Sequence, residues 1–137
     1  MPERSPAQWD RLLAFVERRG FRAGEVVIKR GDIDRALYIV VDGNLEARVT
    51  EGRVGKGAAI PVPAGSVIGE IGFFDGLARS ATVTAVTDGA MLRLSFEAFQ
   101  TLAESEPQLA QAMLLDLGRI LAVRLRKTDE FIRGWIG

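Results

Sequence analysis

The stretch from Gly69 to Thr82, GEIGFFDGLARSAT, limits what this chain can fold into more than any other. It interrupts an apolar run with Gly69-Glu70-Ile71-Gly72, continues through Phe73, Phe74, Asp75 and Gly76, and places Arg79 immediately before the next apolar run. Glycines at 69 and 72 let the backbone approach a ligand closely and present its N–H groups. A helical turn opening near Glu70 adds its positive N-terminal end, so the segment predicts an anion cradle. Arg79 supplies a planar, permanently charged fork suited to phosphate, and Ser80 a hydroxyl and an N–H beside it. Glu70 would repel a phosphate, and makes sense here if the ligand also carries a hydroxyl. A ribose phosphate answers both demands, with phosphate on the arginine and sugar hydroxyl on the glutamate. The apolar residues nearby, Val62, Val67, Ile68 and Val83, then face the base. Spacing alone is equally compatible with a Glu70–Arg79 ion pair across a turn that binds nothing.

The surroundings of that segment read as short strands. Val26 to Ile28, Leu37 to Val41, Leu45 to Val49, Ala58 to Val62, Ser80 to Val86 and Met91 to Leu94 are rich in Val, Ile, Leu and Thr. Turn signals separate them: Arg-Gly-Asp at 30–32, Asp-Gly-Asn at 42–44, Glu-Gly-Arg at 51–53, Pro-Ala-Gly at 63–65 and Asp-Gly at 88–89. Gly24, Gly31 and Gly43 are expected to supply positive-φ turn residues that touch no ligand. Short strands about ten residues apart predict a sandwich, barrel or jelly roll. The long helices that a doubly wound sheet needs between strands are missing.

Helices flank this zone. Ser5 as N-cap, Pro6 at the first position and Trp9, Leu12, Leu13 and Val16 at helical spacing predict an N-terminal helix that Gly20 ends. Ser95 caps a second helix running to about Glu104. Glu106-Pro107 opens a long one, with Leu109, Met113, Leu117, Ile120, Leu121 and Leu125 on one stripe, reaching Phe131 or beyond. The expectation is a single domain over 1–137: a helix over 1–20, a β-barrel over 21–94 and C-terminal helices over 95–137.

Several chemistries are excluded outright. Without cysteine or histidine the chain has no disulfide, thiolate ligand, imidazole ligand or Ser-His-Asp triad. The longest unbroken apolar run, Ala36 to Val41, is far short of the roughly 20 residues of a membrane span. The N-terminus, MPERSPAQWD, lacks the apolar core of a secretory signal, so a cytoplasmic domain is expected. Net charge is zero, with the segment from Gly118 onward at +3 and the rest at −3. A basic helix C-terminus is favoured by the macrodipole, and no nucleic-acid partner is expected. Asp32 and Asp34 lack the full spacing of a calcium loop.

Three motifs coincide. They are Phe21-x-x-Gly24-Glu25-x-x-Ile28-x-x-Gly31-Asp32, then Leu37-Tyr38-Ile39-Val40-x-x-Gly43, then the ungapped run Gly69 to Thr82. Together, over about Phe21 to Arg126, they resemble the cyclic nucleotide-binding domain of catabolite activators, cyclic-nucleotide-dependent kinases and cyclic-nucleotide-gated channels. The resemblance implies a mainly β fold with flanking helices, a double-stranded β-helix (jelly-roll) barrel with an N-terminal helix, a short cassette helix and C-terminal helices. It implies that Gly69, Ile71, Gly72, Arg79 and Ser80 hold the cyclic phosphate, that Glu70 accepts the ribose 2′-hydroxyl, and that residues 69–82 are the phosphate-binding cassette. The last helix, from Pro107 to about Phe131, would cover the base, with Arg124, Arg126 and Arg133 as candidate lid contacts and Arg124 placed in the base pocket. Gly72 stands where the family usually has alanine, Ala78 where eukaryotic members usually have proline, and Ser80 is not the threonine associated with guanine.

The function implied is ligand sensing, with cyclic AMP favoured slightly over cyclic GMP, no catalysis, no cofactor and no metal. Tightening of the cradle would shift the Gly72–Gly76 loop, whose Phe73, Phe74 and Leu77 repack against the final helices. A homodimer through the C-terminal helix, or an effector domain or partner protein, would receive the signal, without membrane insertion. One rival is the same fold used as an interaction module that binds no nucleotide. The other, a cupin-type enzyme, usually needs a histidine-rich metal site, which this chain cannot build. The chain stops about where a catabolite activator begins its helix-turn-helix, so by itself it is not expected to regulate transcription.

Overall fold

The computed structural model describes residues 6–48 and 59–136, with side chains described for residues 7–8, 10–48 and 59–127. Ser5, Val49, Ala58, the turn at 51–53 and the side chains of Trp9 and Arg133 therefore lie outside the described residues.

Among the described residues, eight strands form two antiparallel sheets. The first contains β1 (Glu17–Phe21), β8 (Gly89–Ser95), β3 (Ala36–Asp42) and β6 (Val67–Ile68), in that order. The second contains β2 (Val26–Ile28), β7 (Thr82–Ala85), β4 (Asn44–Arg48) and β5 (Ala59–Pro63). Four helices accompany them: α1 (Pro6–Leu13), α2 (Glu70–Asp75) between β6 and β7, then α3 (Phe96–Ser105) and α4 (Pro107–Ile136). This is a jelly-roll arrangement with flanking helices, as the sequence led us to expect.

Strand β3 explains how the layers stack. Ala36, Leu37 and Tyr38 are all buried, although successive side chains of a strand point to opposite faces. Leu37 packs into a cluster under the helices, with Leu12, Phe73, Phe99, Leu102, Met113 and Leu117. Tyr38 packs between the sheets, with Phe21, Val40, Leu45, Val83 and Met91. The first sheet is thus covered on both faces.

Two expectations need correction. The N-terminal helix does not run to Gly20: it stops at Leu13, and residues 17–21 pair with Arg93 to Gly89 as strand β1. Glu-Arg-Arg-Gly-Phe lacks strand-like alternation because β1 is an edge strand that buries only Phe21. The second correction concerns the stripe on α4. Leu109, Met113 and Leu117 are buried, Ile120 and Leu121 are half-buried, and Leu125 is 70% exposed, because here α4 meets the domain through the polar Arg124 side chain rather than through its apolar stripe. The Ser95 cap and three of the turn glycines hold. Ser95 accepts a hydrogen bond from the Ala98 N–H at 3.0 Å, and Gly24, Gly31 and Gly43 have φ of 88°, 90° and 87°.

Candidate functional site

Strand β6 ends where the chain must turn sharply. Gly69 takes φ 80°, the left-handed region that a side chain resists, and α2 begins at the next residue. Its last carbonyls would be left without donors, and Arg35 supplies them: Nε donates to the Phe73 carbonyl at 2.9 Å and Nη2 to the Phe74 carbonyl at 2.8 Å. The same guanidinium stacks 3.6 Å above the Phe96 ring at the start of α3. Arg35 and the fully buried Phe73 therefore tie the cassette helix to the C-terminal helices.

Arg79 lies beneath α2 with its side chain 5% exposed. Nη1 donates to the Gly69 carbonyl at 2.9 Å and Nη2 to the Ala36 carbonyl at 2.6 Å. Nε is buried with no hydrogen-bond partner among the described residues. The glycines now have a second reason besides backbone approach. A Cβ at Gly69 would lie 2.5 Å from Arg79 Nη1, and one at Gly72 would lie 3.0 Å from it. The chain lacks side chains at both positions where the guanidinium passes.

Glu70 is buried to 3% exposure and pairs with Arg124 of α4, which also donates to the Val67 carbonyl at 2.6 Å. The Glu70–Arg79 ion pair considered from spacing is therefore replaced: Glu70 engages α4, and Arg79 engages backbone carbonyls. Both nonetheless line one cavity of about 340 Å³, within the usual range for small-molecule sites. Gly69, Ile71, Gly72, Ser80, Ile68, Val83 and Arg124 line it too.

Val62 and Val67 do not. Val67 points the opposite way from its neighbour Ile68 and packs under the helices, while Val62 is buried between the sheets. The apolar wall is built instead from Ile28, Ala47, Ile68 and Val83. Ile28, noted in the sequence only as part of a motif, and Ala47 were not expected to face the ligand, because only the folding of β2 and β4 beside β7 brings them there.

Behind Arg79 lies a polar group around Asp34, which the sequence offered only as a poor calcium candidate. Asp34 accepts from the Tyr38 hydroxyl at 2.5 Å and from Arg93 Nη2 at 2.6 Å, and sits 3.7 Å from Arg79 Nη2. Burial raises the Asp34 pKa, but the hydrogen bonds and charges of Arg93, Tyr38 and Arg79 outweigh it and hold the carboxyl below 3.8. A depressed folded-state pKa adds stability that is present above 3.8 and is lost as pH falls. Asp34→Asn should therefore lower stability by about 1 kcal/mol at pH 6. The gap between its urea midpoint and that of the unaltered protein should narrow as pH falls below 3.8, and a gap independent of pH would refute the assignment.

Among the described residues no group of three or more His, Cys, Asp or Glu could hold a metal ion, and no helix is long and apolar enough to cross a membrane.

Comparison with known proteins adds four findings. The family model for the cyclic nucleotide-binding domain matches residues 18–106. An uncharacterized NTE family protein of Mycobacterium tuberculosis is 37% identical over 114 residues, 83% of this chain and 19% of that protein. The cyclic AMP receptor protein of Thermus thermophilus is 32% identical over 126 residues, 91% of this chain and 56% of that protein. Among solved structures, the catabolite activator protein of Thermus thermophilus superposes with a TM-score of 0.79 at 29% identity, covering 93% of this chain and 58% of that one. The chain thus spans less than two thirds of the length of each of these relatives.

Proposed function

The chain belongs to the cyclic nucleotide-binding domain family, and from that premise we propose that it senses a cyclic nucleoside monophosphate in the cavity beneath α2, with cyclic AMP slightly preferred over cyclic GMP. The observation that carries this reading is the buried Arg79 guanidinium, whose Nε has no partner among the described residues, in one cavity with the Glu70 carboxylate. A cyclic phosphate gives that N–H an acceptor, and the N–H groups of Ile71 and Gly72 lie along the same wall. The ribose 2′-hydroxyl donates to Glu70. Ile28, Ala47, Ile68 and Val83 flank the base, and Ser80 lies at the exposed rim beside the phosphate.

Arg124 gives the ligand something to act on. By holding Glu70 and the Val67 carbonyl it latches α4 onto the rim of the cavity. A sugar hydroxyl arriving at Glu70 shares or displaces that contact, so binding changes how α4 is held. A ligand can shift α4 only by its differential affinity for the two arrangements. The domain is regulatory in this reading, and the signal leaves through α4.

The Arg124–Glu70 pair also favours a second reading, in which Arg124 permanently occupies the ribose acceptor and the fold serves as an interaction module without nucleotide. Calorimetric titration with cyclic AMP and cyclic GMP separates the two. Saturable binding is expected, with Glu70→Ala weakening it by about 1.5–3 kcal/mol for the lost charge-assisted hydrogen bond. No heat with either nucleotide would establish the second reading.

A further inference from the structure

Arg93 lies on β8, outside the cavity, yet it faces the group that stands behind the phosphate anchor. In the sheet register Arg93 is opposite Tyr38 on one side and opposite Glu17 on the other, so the three share one face. Its Nη2 holds Asp34 Oδ1 at 2.6 Å and its Nη1 holds the exposed Glu17 at 3.2 Å. Asp34 Oδ2 accepts from Tyr38 at 2.5 Å and lies 3.7 Å from Arg79 Nη2, and the Arg79 guanidinium sits 5.9 Å above the Tyr38 ring.

Two guanidinium groups thus compete for one carboxylate, and Arg93 is the nearer by about an ångström. Arg79 has two neutral carbonyls as its hydrogen-bond partners and only the longer 3.7 Å pairing with Asp34, so its charge is less fully compensated than that of Arg93. We propose that Arg93 is a positioning residue for anion binding: by holding Asp34 it keeps that carboxylate from closing onto Arg79. Without Arg93, Arg79 becomes the nearest cation to Asp34. The 3.7 Å separation then shortens to a direct ion pair, the guanidinium is drawn away from Gly69, and an incoming phosphate must compete with a carboxylate for the same charge.

This rests on the cavity being a cyclic nucleotide site, and the test separates the two claims. Cyclic AMP and cyclic GMP are titrated calorimetrically into the unaltered protein, Arg93→Met, Arg93→Lys, Asp34→Asn and the Arg93→Met/Asp34→Asn double variant. Arg93→Met should bind about five- to tenfold more weakly, a coupling of ordinary size for groups in one network. Arg93→Lys keeps the charge and should bind nearly as the unaltered protein does. The double variant should return to within about twofold of Asp34→Asn, because removing the competing carboxylate makes Arg93 dispensable. Urea midpoints are measured on every variant, and an affinity loss in Arg93→Met that only follows its loss of stability would make Arg93 structural and overturn the inference. If Arg93→Met does not fold, Asp34→Asn alone decides: affinity equal to or above that of the unaltered protein supports the inference, and a marked loss overturns it. Equal binding by Arg93→Met and the unaltered protein removes this inference and leaves the nucleotide reading standing. Absence of binding by the unaltered protein removes both.

Discussion

Arg79→Ala should lose cyclic nucleotide binding by about 1.5–3 kcal/mol, the cost of a charge-assisted hydrogen bond, or roughly one to two powers of ten in affinity. The substitution removes the one buried cation in the cavity whose Nε has no partner among the described residues. It also acts on the fold. The Ala36 carbonyl loses its 2.6 Å Arg79 donor and the Gly69 carbonyl keeps only the Phe73 N–H, at a cost of about 1–3 kcal/mol. A urea midpoint and a calorimetric titration measured together therefore show both losses. Arg79→Lys separates them: the charge remains, but a point-like ammonium cannot serve two carbonyls and a ligand at once as the guanidinium fork does. Stability close to the original with weakened binding is the expected result for the lysine variant. Unchanged affinity in both variants would mean that the phosphate sits elsewhere.

Phe73→Ala should be the most destabilising single change, at about 3–5 kcal/mol for deleting a fully buried ring. The ring is 0% exposed and meets Phe74, Phe96 and Phe99 edge to face, at centroid distances of 5.4, 5.5 and 5.6 Å. Phe74 is its own neighbour on α2, whereas Phe96 and Phe99 belong to α3, so the cavity left behind opens between the two. Domains of this size hold only about 5–15 kcal/mol in total, so the variant should unfold at markedly lower urea. Phe73→Leu, which refills most of the space, should lose far less. A deficit under about 1 kcal/mol for the alanine variant would show that α2 and α3 do not depend on this contact.

The sequence-based expectation for Phe73 was that it repacks against the final helices on binding. The structure has it packed there already, while Leu77 of the same loop is 66% exposed. In this state the ring is a fixed linkage between the cassette and α3, and Leu77 is the apolar group still open to repacking.

Most of the strands were legible because glycine-bearing turns punctuate β-branched runs, a signal local to each segment. β1 was hidden because an edge strand bearing Glu17, Arg18 and Arg19 looks like the end of a charged helix until β8 pairs with it. The cassette was legible because glycines and a carboxylate inside an apolar run break a local rule, and such breaks concentrate at functional sites. The apolar wall of the cavity was only half legible. Val67 and Ile68 are equally apolar neighbours, and the pleat sends one toward the helices and the other toward the cavity.

Residue order alone therefore set the elements, their turns and the two charged groups nine positions apart, since these depend on interactions within a few residues of chain. Partner choice was decided in three dimensions. Glu70 meets Arg124 across 54 residues, Arg79 reaches the Ala36 carbonyl across 43, and Arg93 faces Asp34 across 59. A charge takes the nearest opposite charge or dipole that burial leaves it, and that distance exists only after the two sheets and α4 have packed.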